Sequence, residues 1–220
     1  MEVIIGKEIR KAFPHICLGI IICDVENYGF NSELWKEIEG YAEIFRQQYP
    51  MEEIKNRPAI FATREIYKKL GKDPNRYRPS AEALSRRIAK GMDLYQIDTL
   101  VDLINLVSLK TGYSIGGFDL DKIQGETLTL GVGRKDEVFN AIARGFMNIE
   151  GLPVYRDEAG GIGTPTSDEE RTKISSTTSR LLMVINEYSG EEGLKEAIDF
   201  SKELLTKYAA ATNINVKYIS

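Results

Sequence analysis

Three polar side chains interrupt an otherwise apolar stretch in the middle of the chain, residues 99–110. Asp102, Asn105 and Ser108 recur at every third position, and leucine, isoleucine and valine fill most of the places around them. In a helix this spacing puts the three side chains on one narrow stripe of an apolar, buried surface. A buried polar group without a partner costs about 1–3 kcal/mol. The stripe therefore either bonds to neighbouring loops or presents Asn105 and Ser108 to a pocket.

Two glycine-rich segments could complete such a pocket. Gly116 and Gly117 follow the predicted helix, and Asp119 can cap the turn after them. Glycine allows positive φ and the close approach of a ligand or another backbone, although a Gly-Gly pair is also typical of a bend or bulge. Gly160 and Gly161 begin the second segment, whose spacing does not match a nucleotide-phosphate loop.

Arginines are concentrated in the sequence NRYRPSAEALSRR, residues 75–87. Arg78, Arg86 and Arg87 lie there beside a tyrosine, and Arg171 lies in a later polar segment. Arginine with an interleaved aromatic side chain suits RNA, through phosphate pairing and base stacking. The same pattern also suits a solvated helix with acidic and basic side chains paired at i, i+4. These four arginines are our candidates for contacts with RNA phosphates.

Classical catalytic sets are missing from the sequence. The single histidine, His15, opens an apolar strand, and Cys17 and Cys23 are too far apart along that strand to form a disulfide or a usual zinc site. No nucleophile motif of the GxSxG type occurs. Four carboxyl groups could still converge in the folded chain: Asp119, Asp121, Asp157 and Glu158. We assign no catalytic residue, and we expect no metal and no cofactor.

Length and charge limit the class of protein further. The 220 residues suffice for one well-cored domain, and the net charge of −4 argues against strong nonspecific binding to phosphate backbones. No apolar run approaches the roughly 18 residues of a membrane span. The start of the chain has no secretory pattern. We therefore expect a cytoplasmic protein with two buried, reduced cysteines.

Apolar periodicity predicts helices in the first half of the chain and strands in the second, after an initial strand at 16–25. The predicted helices start at Ser32 and cover 63–70, 79–91 and 99–110. The later strands cover 126–132, 152–156, 180–188 and 213–219. A capping box of Ser189 and Glu192 predicts one more helix before the last strand, and residues 160–179 are predicted to form a long surface loop. This arrangement indicates an α+β fold with a mixed sheet.

Several segments occur in the order typical of one known domain family: RPSAEALSRR (78–87), VDLINLVSLKTG (101–112), GGFDLDKIQG (116–125) and PVYRD (153–157). They make the chain resemble a free-standing B3/B4 domain, the tRNA-editing module of the phenylalanyl-tRNA synthetase β subunit. The resemblance covers roughly residues 60–190. It implies a single B3/B4-like domain over residues 1–220, with a mixed β-sheet packed by helices.

The resemblance also implies a role in translation. The synthetase module binds the 3′ end of a tRNA that carries a wrong amino acid, chiefly tyrosine, and hydrolyses the ester. We therefore expect RNA binding with the tRNA 3′ end or aminoacyl-tRNA as partner, and deacylation as the enzymatic form, but not a complete synthetase. The bacterial motif has a histidine at the position of Gly116, and its later glutamate falls at about Met183 or Val184. The alternative is a noncatalytic module for a small amino-acid-like ligand or a protein partner.

Overall fold

The computed structural model describes residues 1–190 and 193–220, with four consecutive helices in the first half of the chain and most of the strands in the second. The helices of the described residues are α1 Lys7–Ala12, α2 Ser32–Gln48, α3 Pro58–Lys69, α4 Ser80–Ala89, α5 Thr99–Thr111 and α6 Leu194–Tyr208. The strands are β1 Glu2–Ile5, β2 Cys17–Asp24, β3 Ile115–Asp119, β4 Thr127–Val132, β5 Asn140–Ala141, β6 Gly145–Phe146, β7 Pro153–Asp157, β8 Gly160–Gly163, β9 Arg180–Glu187 and β10 Thr212–Ile219.

The strands form two four-stranded sheets and a short hairpin. The first sheet has the order β1-β4-β7-β8, and the second has the order β10-β2-β9-β3. Strands β1 and β4 are parallel, whereas the other pairs in both sheets are antiparallel. Strands β5 and β6 pair only with each other. The predicted α+β class with a mixed sheet is confirmed.

Strands β2 and β9 of the second sheet lie in the middle of the molecule and are buried on both faces, whereas the edge strand β10 is largely exposed. Ile21 pairs with Met183 on the face toward the helices, and the adjacent pair, Ile20 and Val184, points toward the first sheet. Side chains alternate between the faces of a strand, so a central strand needs apolar residues at nearly every position. This requirement explains the uninterrupted apolar run of β2. The result is three layers: sheet, sheet and helices.

Helix α5 is buried along most of its length. The side chain of Asp98 caps its start, and Gly112, with φ of 83°, ends it in the left-handed conformation. The buried Arg57 donates hydrogen bonds of 2.9 Å to the carbonyls of Leu109 and Lys110 in its last turn. The helix predicted over 99–110 is thus confirmed. Neither α5 nor any other helix of the described residues has the length and apolar character that a bilayer crossing requires.

Several element boundaries differ from the sequence-based expectation. Helix α3 starts at Pro58 rather than near residue 63, and Pro79 caps α4 instead of opening it. Asn31, not Ser32, caps α2, because its side-chain oxygen accepts from two backbone N–H groups of the first turn. Gly193 precedes the first residue of α6. The capping box predicted with Glu192 lies outside the described residues.

The prediction of a long surface loop over 160–179 was wrong for its first part. Residues 160–163 form β8, which pairs with β7, and residues 161–166 are buried. Their glycine and threonine content suggested a loop, yet the same small residues fit where the backbone packs closely beneath Phe118. A Cβ added at Gly163, for example, would lie 2.5 Å from that ring. The position of this segment is set by packing between residues far apart in the chain, which no local sequence pattern indicates.

Candidate functional site

A cavity of about 140 Å³ opens between α4, α5, β3 and the segment that follows β8. Its walls combine uncharged polar groups, one carboxyl group and aliphatic side chains. Contributing residues are Ser80, Leu84, Val101, Ile104, Asn105, Ser108, Ile115, Gly117, Thr164, Ser167, Asp168 and Ile174. Three residues predicted from the sequence, Asn105, Ser108 and Gly117, therefore meet in one cavity wall.

The polar stripe of α5 serves both of the purposes that its sequence left open. Asp102 accepts a hydrogen bond of 2.7 Å from Trp35 Nε1, and Ser108 donates one of 2.7 Å to the carbonyl of Tyr113. Asn105, in contrast, makes no side-chain hydrogen bond with a described residue and lies half-buried at the cavity. Its carboxamide is consequently the member of the stripe that a ligand can use as both donor and acceptor.

Gly117 lets two layers approach closely at the cavity. A Cβ at this position would lie 2.6 Å from Ile104 Cδ1 and 3.0 Å from Ile174 Cδ1. The neighbouring Gly116 points to the opposite face of β3, where a Cβ would lie 2.7 Å from the Phe118 ring. The Gly-Gly pair therefore forms part of a strand rather than a bend. One glycine faces the cavity and the other faces the core between the sheets.

Asp168 is the acidic group of the cavity, and the sequence analysis did not select it. The backbone N–H of Gly117 donates to its Oδ2 over 3.5 Å, which exceeds the usual N–H···O range of about 2.7–3.2 Å. Across the described residues, no lysine, arginine or histidine lies within ion-pair distance of its carboxyl group. Burial raises the pKa of Asp168 to about 8, while the weak bond from Gly117 opposes that rise only slightly. The half-buried carboxyl group therefore keeps its proton to a higher pH than an exposed aspartate does.

The segment that carries Asp168 is held by its backbone. Asp168 forms a bridge with Gly163, and its carbonyl accepts a 3.0 Å hydrogen bond from the N–H of Ile142. Thr164 Oγ1 accepts from the N–H groups of Thr166 and Ser167 at 3.1 Å each, which closes a tight turn just before it. A Cβ at Gly163 would lie 2.7 Å from Asp168 Oδ1. Gly163 directly precedes the sequence TPTSD, and a glycine at this position is typical of close packing. It is the feature of the sequence that could have drawn attention to Asp168.

Asp119, Gly160 and Gly161 lie outside the cavity wall. The carboxyl group of Asp119 caps the turn after β3 and accepts a 2.9 Å hydrogen bond from Thr178 Oγ1, while Lys122 Nζ lies 3.1 Å away. Gly160, with a φ of 140°, is the first residue of β8 and pairs with Asp157 of β7. Gly161 packs against the core, where a Cβ would lie 3.1 Å from Phe139. These three residues have structural contacts in place of cavity contacts.

Two of the arginine candidates surround a buried carboxyl group. Glu82 is only 1% exposed, and its oxygens accept hydrogen bonds of 2.8 Å from Arg64 and from Arg86. Arg78 Nε lies 3.9 Å from the same carboxyl group and keeps 46% of its side chain exposed. The i, i+4 pairing of Glu82 with Arg86, one of the two interpretations of this sequence, is thus present. Arg78 retains more freedom to meet an outside partner.

The other two arginine candidates also have internal contacts. Arg171 forms a two-pronged ion pair with the buried Asp157, at 2.8 and 2.9 Å. The guanidinium of Arg87 lies 3.8 Å from the ring centre of Tyr95, a side chain that is 63% exposed. Arg87 follows Ser80 and Leu84 on the same face of α4, at helical spacing. Arg87 therefore lies on the face of α4 that lines the cavity, about two turns beyond Ser80, with Tyr95 of the following loop against it.

Comparisons with known proteins agree with this fold. The B3/4 domain family model matches residues 62–208, more than half of the sequence, and the chain belongs to that family. The crystal structure of an N-terminal fragment of the phenylalanyl-tRNA synthetase β subunit from Pyrococcus horikoshii is similar in fold, with a TM-score of 0.50 and 13% identity. The match covers 100% of this chain and 54% of the archaeal one, so the chain spans about half the length of that fragment. No curated protein matches the sequence. The predicted resemblance to a B3/B4 domain is confirmed, and the family match extends past residue 190 into α6.

Proposed function

We propose that this protein binds the aminoacyl group at the 3′ end of a charged tRNA in the cavity of Asn105 and Asp168, and hydrolyses its ester bond. The observation that carries the proposal is that one small cavity is lined both by polar side chains without hydrogen bonds to described residues and by aliphatic side chains. Asn105 and Ser80 make no side-chain hydrogen bonds with described residues, and Leu84, Val101 and Ile174 line the same space. Membership of the B3/4 family supports the choice of a tRNA-linked ligand.

The dimensions of the cavity suit one amino-acid side chain or backbone group. A protein cavity of roughly 150 Å³ accommodates a benzene ring, and this one has about 140 Å³. A few polar groups in an otherwise apolar pocket fix the orientation of a small ligand. The cavity therefore supports recognition of an aminoacyl group, whereas the tRNA itself must lie outside it.

Ester hydrolysis in this cavity would depend on placing a water molecule and stabilising the developing oxyanion. The carboxamide N–H of Asn105 can donate to such an oxygen, and removal of one donor of this type lowers kcat by about 10²–10³ in other hydrolases. The hydroxyl of Ser80 can hold the water. By the resemblance, Gly116 takes the place of the histidine of the bacterial editing motif, and Met183 or Val184 takes that of its glutamate; both Met183 and Val184 are fully buried. Catalysis would consequently depend on Asn105 and Ser80 rather than on the histidine and glutamate of the bacterial motif.

The direct test is loss of the ester from a panel of correctly and wrongly charged tRNAs, starting with tyrosine on the phenylalanine tRNA. We expect selective deacylation that Asn105→Ala reduces by at least 10-fold. Gly117→Ala should also slow the reaction, because its new methyl group crowds Ile104 and Ile174 beside the cavity. Asn56→Ala is the matched control, since Asn56 is exposed and bonds only to Glu53. Equal effects of the Asn56 and Asn105 substitutions would contradict the proposed site.

A noncatalytic binding module is the second candidate function, and the state of the arginines favours it. Arg86 and Arg171 are paired with buried carboxyl groups, and the net charge is −4. A protein that neutralises phosphates loses affinity steeply as salt is added. Salt-insensitive binding of free amino acids, without acceleration of ester loss on any charged tRNA, would support this module and contradict deacylation.

A further inference from the structure

We propose that Asp168 binds the free ammonium group of the ligand, so that the cavity selects a primary amine attached to a small group. The inference rests on the proposed function, because it names the part of the aminoacyl group that the cavity recognises. It adds a specificity-determining residue that lies outside the polar stripe of α5. A ligand whose amine is acylated would lose this contact.

Charge is the first argument for an ammonium partner. Asp168 is the single ionisable residue in the cavity wall as far as the chain is described. Three buried carboxyl groups of this protein are paired with cations: Glu82 with Arg64 and Arg86, Asp157 with Arg171, and Asp119 with Lys122. Among the described residues, the other three, Asp98, Asp102 and Glu187, have no cation but accept hydrogen bonds of 2.7–3.0 Å from N–H or O–H groups. Asp168 receives only the 3.5 Å bond from Gly117. Asp168 is half-buried, and a carboxylate that is partly removed from water without a counter-charge is unfavourable. A bound cation would reduce that penalty.

The chemistry around Asp168 is the second argument. An ammonium group has three N–H donors and no acceptor. Asn105 offers a carbonyl oxygen and Ser167 a hydroxyl oxygen in the same wall, so both can accept the donors that Asp168 does not use. A guanidinium would need more room and a planar set of acceptors, which the aliphatic side of the cavity does not offer. The site therefore fits a primary amine that carries a small apolar group.

Binding of an ammonium group to Asp168 should release the proton of this carboxyl group, and that release can be measured. Because burial raises the pKa of Asp168 to about 8, the empty site holds a proton at pH 6, and an ammonium ligand must displace it. The groups packed against Asp168 are Gly117, Gly163 and Ile142, and none of them titrates. The adjacent Glu169 accepts from the N–H of Arg171, and the next carboxyl group, Glu170, pairs with Lys173. At pH 6 we therefore expect close to one proton released per ligand bound.

The experiment compares tyrosine methyl ester with its N-acetyl derivative by titration calorimetry at pH 6, in two buffers that differ in ionisation enthalpy. Wild-type protein should bind the free amine at least 10-fold more tightly and release about one proton. Asp168→Asn should abolish both the preference and the proton release, while its affinity for the N-acetyl ester stays within about twofold. Asp121→Asn is the matched control, because Asp121 lies on the surface in an exposed pair with Arg180. It should leave both readouts unchanged.

Equal affinity of the wild-type protein for the two esters, or no binding of either, would overturn the inference. Proton release that persists in Asp168→Asn would overturn it as well. If that variant does not fold, the comparison of the two esters on wild-type protein still decides. The deacylation panel tests the proposed function separately, so amine preference without deacylation would contradict ester hydrolysis alone. If Asp168 were instead a general base, Asp168→Asn would stop hydrolysis of free and N-acetylated aminoacyl-tRNA alike.

Discussion

Replacing Asp168 by asparagine should stabilise the protein at neutral pH, by an amount that depends on pH in a defined way. The pKa of Asp168 is raised from 3.8 to about 8 by burial. Above pH 3.8 the unfolded chain releases this proton, while the folded chain keeps it until about pH 8. Wild-type stability should therefore fall as pH rises through this window. The pH of this comparison, 7, is about three units above the ordinary pKa of an aspartate. At roughly 1.4 kcal/mol per unit, the loss of stability that Asp168 causes at pH 7 is at most about 4 kcal/mol.

Because the cavity is open to water, the cost of ionising Asp168 in the folded protein is smaller than this limit. We therefore expect Asp168→Asn to increase the free energy of unfolding by about 1–3 kcal/mol at pH 7 and by almost nothing at pH 4. Urea denaturation of both proteins from pH 4 to pH 8 measures the difference directly. Asp121→Asn, at an exposed ion pair, should change stability by less than about 1 kcal/mol throughout. A gain for Asp168→Asn that does not vary with pH, or a loss at pH 8, would refute the assignment of Asp168 as a half-buried carboxyl group without a cation partner.

Three further substitutions test other parts of the structure. Arg57→Met should destabilise the protein by about 2–4 kcal/mol in urea denaturation, because two carbonyls at the end of α5 lose a buried donor; an unchanged midpoint would contradict this capping role. Tyr188→Phe should raise the melting temperature, with a gain of about 1 kcal/mol, since the buried Tyr188 hydroxyl has no hydrogen-bond partner among the described residues; a loss of stability would show that this hydroxyl is satisfied. Burial opposes a low pKa at Asp157, but hydrogen bonds from Arg171 and from the backbone of Gln124 lower it, so Asp157→Asn should cost about 1–3 kcal/mol at pH 7. That cost should shrink as pH falls through the lowered pKa of Asp157, which denaturation at pH 2–7 would reveal.

The sequence by itself determined the elements whose patterns are local. Helix α5 was predictable because its apolar residues surround it almost completely and Gly112 ends it. Strand β2 was predictable for the same reason, since a strand buried on both faces needs apolar residues throughout. The ordered motifs at 78–125 were sufficient to indicate the family, and they include Asn105 and Gly117 of the cavity wall.

Only the tertiary structure decided which polar groups meet and which arginines remain free. Asp168 lies in a polar segment with no periodicity, and it reaches the cavity because β8 pairs with β7 and its own backbone bridges to Gly163. Glu82 looked like a surface residue of α4, yet Arg64 of α3 reaches its carboxyl group and the pair is largely buried. The energy of a carboxyl group depends on its solvent exposure and on the nearest cation. Both are set by contacts between residues far apart in the chain, so no local pattern could reveal that one carboxyl group is paired and the other is not.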